Sequence, residues 1–252
     1  MNDSDRYVYD VLNRHQSQSS LLVAQAVINN LTNSINAWAN GHLHGVYPSG
    51  SIAKGTAISE SSDVDILVSV KNTATESLKD VYEKLFNRLT TDGYAPRRQN
   101  VSLGITLSGW KIDIVPAKKQ SLLNNDHSLW SHKQQTWRET NIHQHVQFVT
   151  NSNRINEIKL LKIWKKLHNL EFPSFPLEVT VINALSGRST TTPAANFVTV
   201  LEYLRDSFST ARIIDPTKSS NILSDDLTLL EKTNLSTAAG NSLTGQWNQV
   251  LW

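Results

Sequence analysis

The stretch that most constrains this chain is S-S-D-V-D-I-L-V-S-V, residues 61–70, where two carboxylates one residue apart open an apolar, β-branched run. Val64–Val70 reads as a buried strand. In a strand, residues i and i+2 point to one face, so Asp63 and Asp65 stand side by side. Two like charges that close are unfavourable unless something positive lies between them. A divalent cation meets that need. Magnesium takes oxygen ligands, often one or two carboxylates together with substrate phosphates.

A third carboxylate stands in W-K-I-D-I-V-P, residues 110–116, where Asp113 sits mid-strand and Ile112 and Ile114 face the other way. If the two strands are neighbours, Asp63, Asp65 and Asp113 form one acidic triad. Such a triad can hold two metal ions roughly 3.5–4 Å apart, the arrangement used for in-line phosphoryl or nucleotidyl displacement. Upstream, Gly50 allows close backbone approach to a ligand, and Ser51 adds a hydroxyl donor in a turn whose amides can converge on an anion. Ala53-Lys54-Gly55-Thr56 adds a further glycine and a cation. This is phosphate-cradling chemistry, without the GK[ST] ending of a P-loop.

The flanking sequence supplies a frame for these motifs. Residues 19–39 carry Leu22, Ala26, Ile28, Leu31, Ile35 and Trp38 near helical spacing, with Ser19 and Ser20 placed to cap the start. A short strand is expected near 45–47, a helix over 75–91, and two strands over 101–107 and 110–115 joined at Ser108-Gly109. Residues 117–150 lose periodicity and read as a loop-rich connection with a short helix. Helical patterns return over 154–168, 175–187 and 194–207, and a terminal helix is expected. The expected organisation is a catalytic core over 1–150 and a helical lobe over 151–252, two lobes facing each other across a cleft.

Composition bounds the function classes. With 252 residues, 39% hydrophobic and 18% charged, the chain is an ordinary globular protein. A net charge of +2 is too small to argue for a nucleic-acid partner, and no run approaches the roughly 18 apolar residues of a membrane span. Cysteine is absent, which removes disulfides, thiolate zinc sites and cysteine nucleophiles together. The opening MNDSDRYVYD has neither a basic n-region nor an apolar h-region, so the cytoplasm is the expected location. The pairs His42/His44 and His143/His145 have no third ligand at a familiar metal spacing.

Gly50-Ser51, eleven residues, then Asp63-Val64-Asp65, with Asp113 in a later strand, resembles the DNA polymerase β-like nucleotidyltransferase superfamily. K-L-L-K-I-W-K-K (159–166), F-P-S-F-P-L-E (172–178) and I-I-D-P-T-K-S-S-N (213–221) are similar to the helical lobe of cyclic-oligonucleotide synthases. That group holds bacterial CD-NTases, animal cyclic GMP-AMP synthase and oligoadenylate synthetases. The resemblance implies an α+β, two-lobed fold, with a mixed sheet, flanking helices and a helical C-terminal lobe. It implies NTP substrates, two Mg²⁺ (or Mn²⁺) ions on Asp63, Asp65 and Asp113, and release of pyrophosphate. Gly50, Ser51, Lys54, Lys162 and Ser174 would position phosphates, and Phe175, where tyrosine is often seen, would stack on a base. A helical wheel places Lys159, Lys162 and Lys166 in a basic stripe opposite Leu160, Ile163, Trp164 and Leu167.

The expected product is a cyclic or linear oligonucleotide messenger of bacterial antiphage signalling. The alternatives are transfer to an RNA 3′ end, a protein or a small molecule, and a catalytically idle nucleotide-binding module. An RNA acceptor is not indicated, because no appended RNA-binding domain is evident.

Overall fold

The computed structural model describes residues 2–59 and 63–252. Its strands are β1 (Leu43–Pro48), β2 (Val64–Val70), β3 (Arg97–Arg98), β4 (Leu103–Leu107), β5 (Trp110–Lys119), β6 (His127–Ser131), β7 (Thr136–Thr140), β8 (Ile214–Asp215) and β9 (Lys218–Ile222). Its helices are α1 (Asp3–Arg14), α2 (Leu21–Ala39), α3 (Gly50–Lys54), α4 (Leu78–Thr91), α5 (Ile142–Asn151), α6 (Ile155–Leu167), α7 (Ser174–Ala184), α8 (Pro193–Asp206), α9 (Leu229–Thr244) and α10 (Trp247–Val250). They fall into two compact units, one of Met1–Ser17, Gly55–Ser61 and Gln147–Trp252, the other of Gln18–Lys54 and Ser62–Val146. Among the described residues no helix is long and apolar enough to cross a membrane.

The sheet unit is built on β1 to β7. The strand order is β1-β2-β5-β4-β3, with β6 joined to β5 and β7 to β6. The sheet is mixed because β2 and β5 run parallel while the other pairs are antiparallel. Val64, Ile66, Val68, Ile112 and Ile114 are fully buried, as are Leu31 of α2 and Leu85 and Leu89 of α4, which form the layer over that face. Trp38 of α2 ties the two helices together by donating from Nε1 to the Val81 carbonyl at 3.0 Å. Ser20 caps α2 and Ser77 caps α4, each accepting from an amide three residues on. Asn40, in the left-handed region, ends α2.

The helical unit packs around α6. Trp164 is wholly buried and donates from Nε1 to Ser242 Oγ of α9 at 2.9 Å. Val8 and Val11 of α1 belong to the same core, as do Phe172 and Phe208, whose rings lie 5.0 Å apart. At the head of α6, Arg154 is 5% exposed; it donates to Glu157 at 3.3 Å and to the carbonyls of Leu185, Arg188 and Ser189. Asn196 of α8 donates to the same Glu157 oxygen at 2.7 Å.

Several expectations need correcting. Residues 117–150 hold the expected short helix, α5, but also the end of β5 and the hairpin β6–β7 where a loop-rich connection was expected. The strand expected to end at 115 runs on to Lys119, and that extension is what pairs with β6. Of the apolar residues expected at helical spacing in α2, Leu22 and Ala26 are exposed, Leu22 by 82%; Ala24 and Val27 are buried instead. The lysine stripe of α6 is broken, because Lys162 lies inside the protein at 4% exposed while Lys166 is exposed. Helix α6 is buried on most of its circumference, so the wheel's division into a wet and a dry side fails there.

The Arg154 network gives a stability test. Arg154→Ala leaves Glu157 buried without its cation and should cost about 3–5 kcal/mol. Arg205→Ala removes only an exposed pair with Asp206 and should cost less than about 1 kcal/mol. Urea denaturation midpoints of the two variants check the contrast.

Candidate active site

The candidate site lies on the face of the sheet that α2 and α4 leave uncovered. Alternation along β2 buries Val64 and Ile66 beneath those helices and turns Asp65 the other way. The same alternation along β5 buries Ile112 and Ile114 and turns Asp113. Parallel pairing sets Val64 against Ile112 and Asp65 directly against Asp113. The two carboxylates therefore stand on adjacent strands, on one face. Asp63, just ahead of β2, is exposed, and its charge is felt by Asp113.

The electrostatics record this crowding. Burial pushes the Asp113 carboxyl above the ordinary carboxylate range, and the negative charge of Asp63 pushes it the same way. A hydrogen bond from Gln99 and the charge of Arg97 oppose the rise.

Gly50 forms the floor beside Asp65. Its φ is +59, in the left-handed region, and a Cβ built there would fall on the Asp65 carboxylate, within 2.7 Å of Asp65 Cβ. The expected turn at Gly50-Ser51 is a single helical turn, α3, entered through a bond from the Ser49 amide to the Asp65 carbonyl at 2.8 Å. That bond joins the Gly-Ser segment to the carboxylate strand. Lys54, at the end of α3, is 7% exposed.

Three further residues, outside the sequence motifs, stand at the candidate site. Gln99 Nε2 donates to Asp113 Oδ1 at 2.9 Å, and Ser102 Oγ donates to Gln99 Oε1 at 2.6 Å, which sets the orientation of the amide. Gly104 pairs with Asp113 in the β4–β5 register; a Cβ there would come within 2.8 Å of Gln99 Nε2 and 3.2 Å of Asp113 Oδ1. The glycine inside L-G-I-T-L, a poor residue for a strand interior, was the available hint.

The other singled-out residues belong to the helical unit. Lys162 Nζ donates to Glu178 Oε1 at 2.7 Å and to Thr56 Oγ1 at 2.8 Å, and Thr56 donates to the same glutamate oxygen at 3.0 Å. Glu178 and Thr56 are both 0% exposed, so the ammonium is held in a fully buried polar knot. Ser174 is exposed as the first residue of α7, and Phe175 beside it is half-buried against the unit's core.

The donor set suits a hard cation. Asp63, Asp65 and Asp113 offer only oxygen, and Gly50 keeps the space beside Asp65 clear of a side chain. Among the described residues no three Asp, Glu or His side chains are drawn together as a ready-made cage. Magnesium does not require one, since phosphate oxygens and water commonly complete its shell.

Residues 11–153, more than half of the chain, match the model of the Second Messenger Oligonucleotide or Dinucleotide Synthetase domain, and the chain belongs to that family of polymerase-β-like nucleotidyltransferases. It is similar to the cyclic AMP-AMP-AMP synthase of Escherichia coli (strain MS 115-1), 27% identical over 173 residues, covering 62% of this chain and 54% of that protein. The chain thus spans about half the length of this curated relative. Among solved structures, the Bradyrhizobium diazoefficiens CD-NTase CdnG in complex with GTP superposes with a TM-score of 0.82 at 14% identity, over 97% of this chain and 91% of that one. The E. coli MS115-1 CdnC structure with ATP gives 0.78 at 21% identity, over 94% and 89%. The α+β architecture, with its mixed sheet and flanking helices, is that of these neighbours.

The packing at Gly50 is open to test. Gly55 has a similar φ of +70 with nothing within 4 Å of a built Cβ, so Gly55→Ala should cost about 1–2 kcal/mol for the backbone alone. Gly50→Ala adds collision with Asp65 and should cost at least about 1 kcal/mol more. Denaturant titration compares them, and equal costs would show that the two groups do not crowd each other.

Proposed function

We propose that this chain is a metal-dependent nucleotidyltransferase that joins NTPs into a cyclic or linear oligonucleotide messenger, working in the cytoplasm in bacterial antiphage signalling. The observation that carries the reading is the register of Asp65 against Asp113, with Gly50 backed onto Asp65. Family membership and relatives that are nucleotidyltransferases support it.

The roles follow from the chemistry of each group. Asp63, Asp65 and Asp113 would hold two Mg²⁺ (or Mn²⁺) ions, which when bound neutralise phosphate charge and make an acceptor hydroxyl more acidic. Gly50 and Ser51 bring backbone amides and a hydroxyl to the triphosphate, and Lys54 adds positive charge to the same segment. The acceptor oxygen attacks the α-phosphorus, the bond to the β-phosphate oxygen breaks, and pyrophosphate departs. Asp113, its basicity raised by burial and by Asp63, takes the hydroxyl proton. Gln99 holds that carboxylate in one orientation. In the helical unit, the role proposed for Ser174 is a phosphate contact and for Phe175 a base contact, while the expected phosphate contact of Lys162 is replaced by a positioning role, its ammonium being enclosed by Glu178 and Thr56.

Mass spectrometry of the products made from all four NTPs with Mg²⁺ or Mn²⁺, with and without RNA, tests the proposal. A cyclic or short linear oligonucleotide is expected, and pyrophosphate release should fall about a hundredfold or more in the Asp63→Asn, Asp65→Asn double variant. An extended RNA would assign the chain to terminal transfer instead. NTP binding without turnover would make it an idle module.

A further inference from the structure

Strand β3 consists of two adjacent arginines, and alternation sends their side chains to opposite faces of the sheet. Arg98 lies over the Phe86 ring of α4, 3.4 Å from its centroid, and donates to Glu83 of the same helix at 2.7 Å. Arg97 therefore takes the other face, the one that carries Asp65 and Asp113. The registers agree. Asp65 stands against Asp113, Asp113 against Gly104, and Gly104 against Arg97, one row across four strands. Residues directly opposite on neighbouring strands share a face.

Arg97 and Asp113 stand on either side of Gly104, on strands about 10 Å apart. No side chain rises from Gly104; the Gln99 amide lies over it and donates to Asp113 Oδ1 at 2.9 Å. Burial raises the Asp113 carboxyl, and the Arg97 charge is near enough to oppose that rise. Arg97 is exposed, and among the described residues no hydrogen bond or ion pair holds its guanidinium. Metal ions on the carboxylates would meet their charge and leave this arginine for another anion. Its planar fork of N–H donors matches a phosphate. Lys111 shares the face, but it precedes Ile112 as Asp63 precedes Val64, which puts it at the Asp63 end of the pair.

The row also has a direction. Gly50 and Ser51, given to the triphosphate, follow β1, which pairs with β2 on the side away from β5. Asp113, given the hydroxyl proton, lies on the opposite side of Asp65, and Arg97 lies further along that side. The nucleotide that supplies the hydroxyl thus reaches Asp113 from the Arg97 end. We propose that Arg97 binds a phosphate of the acceptor nucleotide and so holds its hydroxyl at Asp113. The assignment rests on the nucleotidyl-transfer reading above.

Separating donor from acceptor tests it. A 2′,3′-dideoxy-NTP has no hydroxyl to offer and only donates. A ribonucleoside α,β-methylene triphosphate, a dinucleoside monophosphate and a free ribonucleoside, each in all four bases, only accept. Pyrophosphate release with Mg²⁺ is followed against the concentration of each acceptor. Arg97→Gln should raise KM about tenfold for phosphate-bearing acceptors and change kcat/KM for the free ribonucleoside less than about threefold. A rise confined to the triphosphate analogue assigns Arg97 to a 5′ phosphate, and one confined to the dinucleotide to the linking phosphodiester. Arg98→Gln, on the other face, should leave all acceptors unchanged, and melting curves report the fold of both variants. Mn²⁺ affinity by electron paramagnetic resonance should not fall in Arg97→Gln, because a positive charge beside the carboxylates is gone. Unchanged KM in Arg97→Gln, an equal loss with the free ribonucleoside, the same rise in Arg98→Gln, or a fall in Mn²⁺ affinity would each overturn the proposal. No pyrophosphate from the unaltered chain with any pair would overturn the nucleotidyl-transfer reading itself, and this assignment with it.

Discussion

The parallel pairing of β2 with β5 is the constraint on which the candidate site depends. One register, Val64 against Ile112 and Asp65 against Asp113, buries the apolar residues under α2 and α4 and turns both carboxylates to the opposite face. A slip of one residue would put a carboxylate into that core and an isoleucine at the site. The hydrophobic effect that fixes the core therefore also fixes the distance between two repelling charges. The rest of the site is arranged around that pair. Gly50 and Gly104 leave room, Gln99 holds Asp113, and the Ser49 amide ties α3 to the strand.

In the helical unit the comparable feature is the knot of Lys162, Glu178 and Thr56. Removing one partner of a buried ion pair costs far more than the pair contributes, because the other charge is stranded. The knot thus joins α6 and α7 to the short segment that begins at Gly55. Ser174 and Phe175 sit at the start of α7, one turn ahead of Glu178, so the residues given nucleotide roles stand on a helix whose position the buried glutamate helps to fix.

Much of this was legible in the sequence, and the limits have physical causes. The apolar run Val64–Val70 matches β2, and Ser108-Gly109 forms the expected hairpin turn, both residues having positive φ. The face that Asp113 takes was readable because its isoleucine neighbours claim the other one. The hairpin β6–β7 was not readable, since H-S-L-W-S and T-W-R-E-T are too polar and short to stand out. The register of β6 is set by pairing with the end of β5, a contact that no local pattern contains, and β7 pairs in turn with β6. Lys162 looked like part of a surface stripe because its neutralising partner, Glu178, lies on a different helix. Gln99 was invisible for a similar reason: a polar residue ahead of a strand acquires meaning only when Asp113 is brought beside it.

The central claim is that the paired carboxylates of β2 and β5 form a cation site completed by nucleotide phosphate. Mn²⁺ binding by electron paramagnetic resonance, with a non-hydrolysable NTP analogue present, tests it most directly. The account predicts binding to the unaltered chain that weakens at least about tenfold in Asp65→Asn and in Asp113→Asn, with the fold retained. Mn²⁺ affinity unchanged in both variants would contradict it.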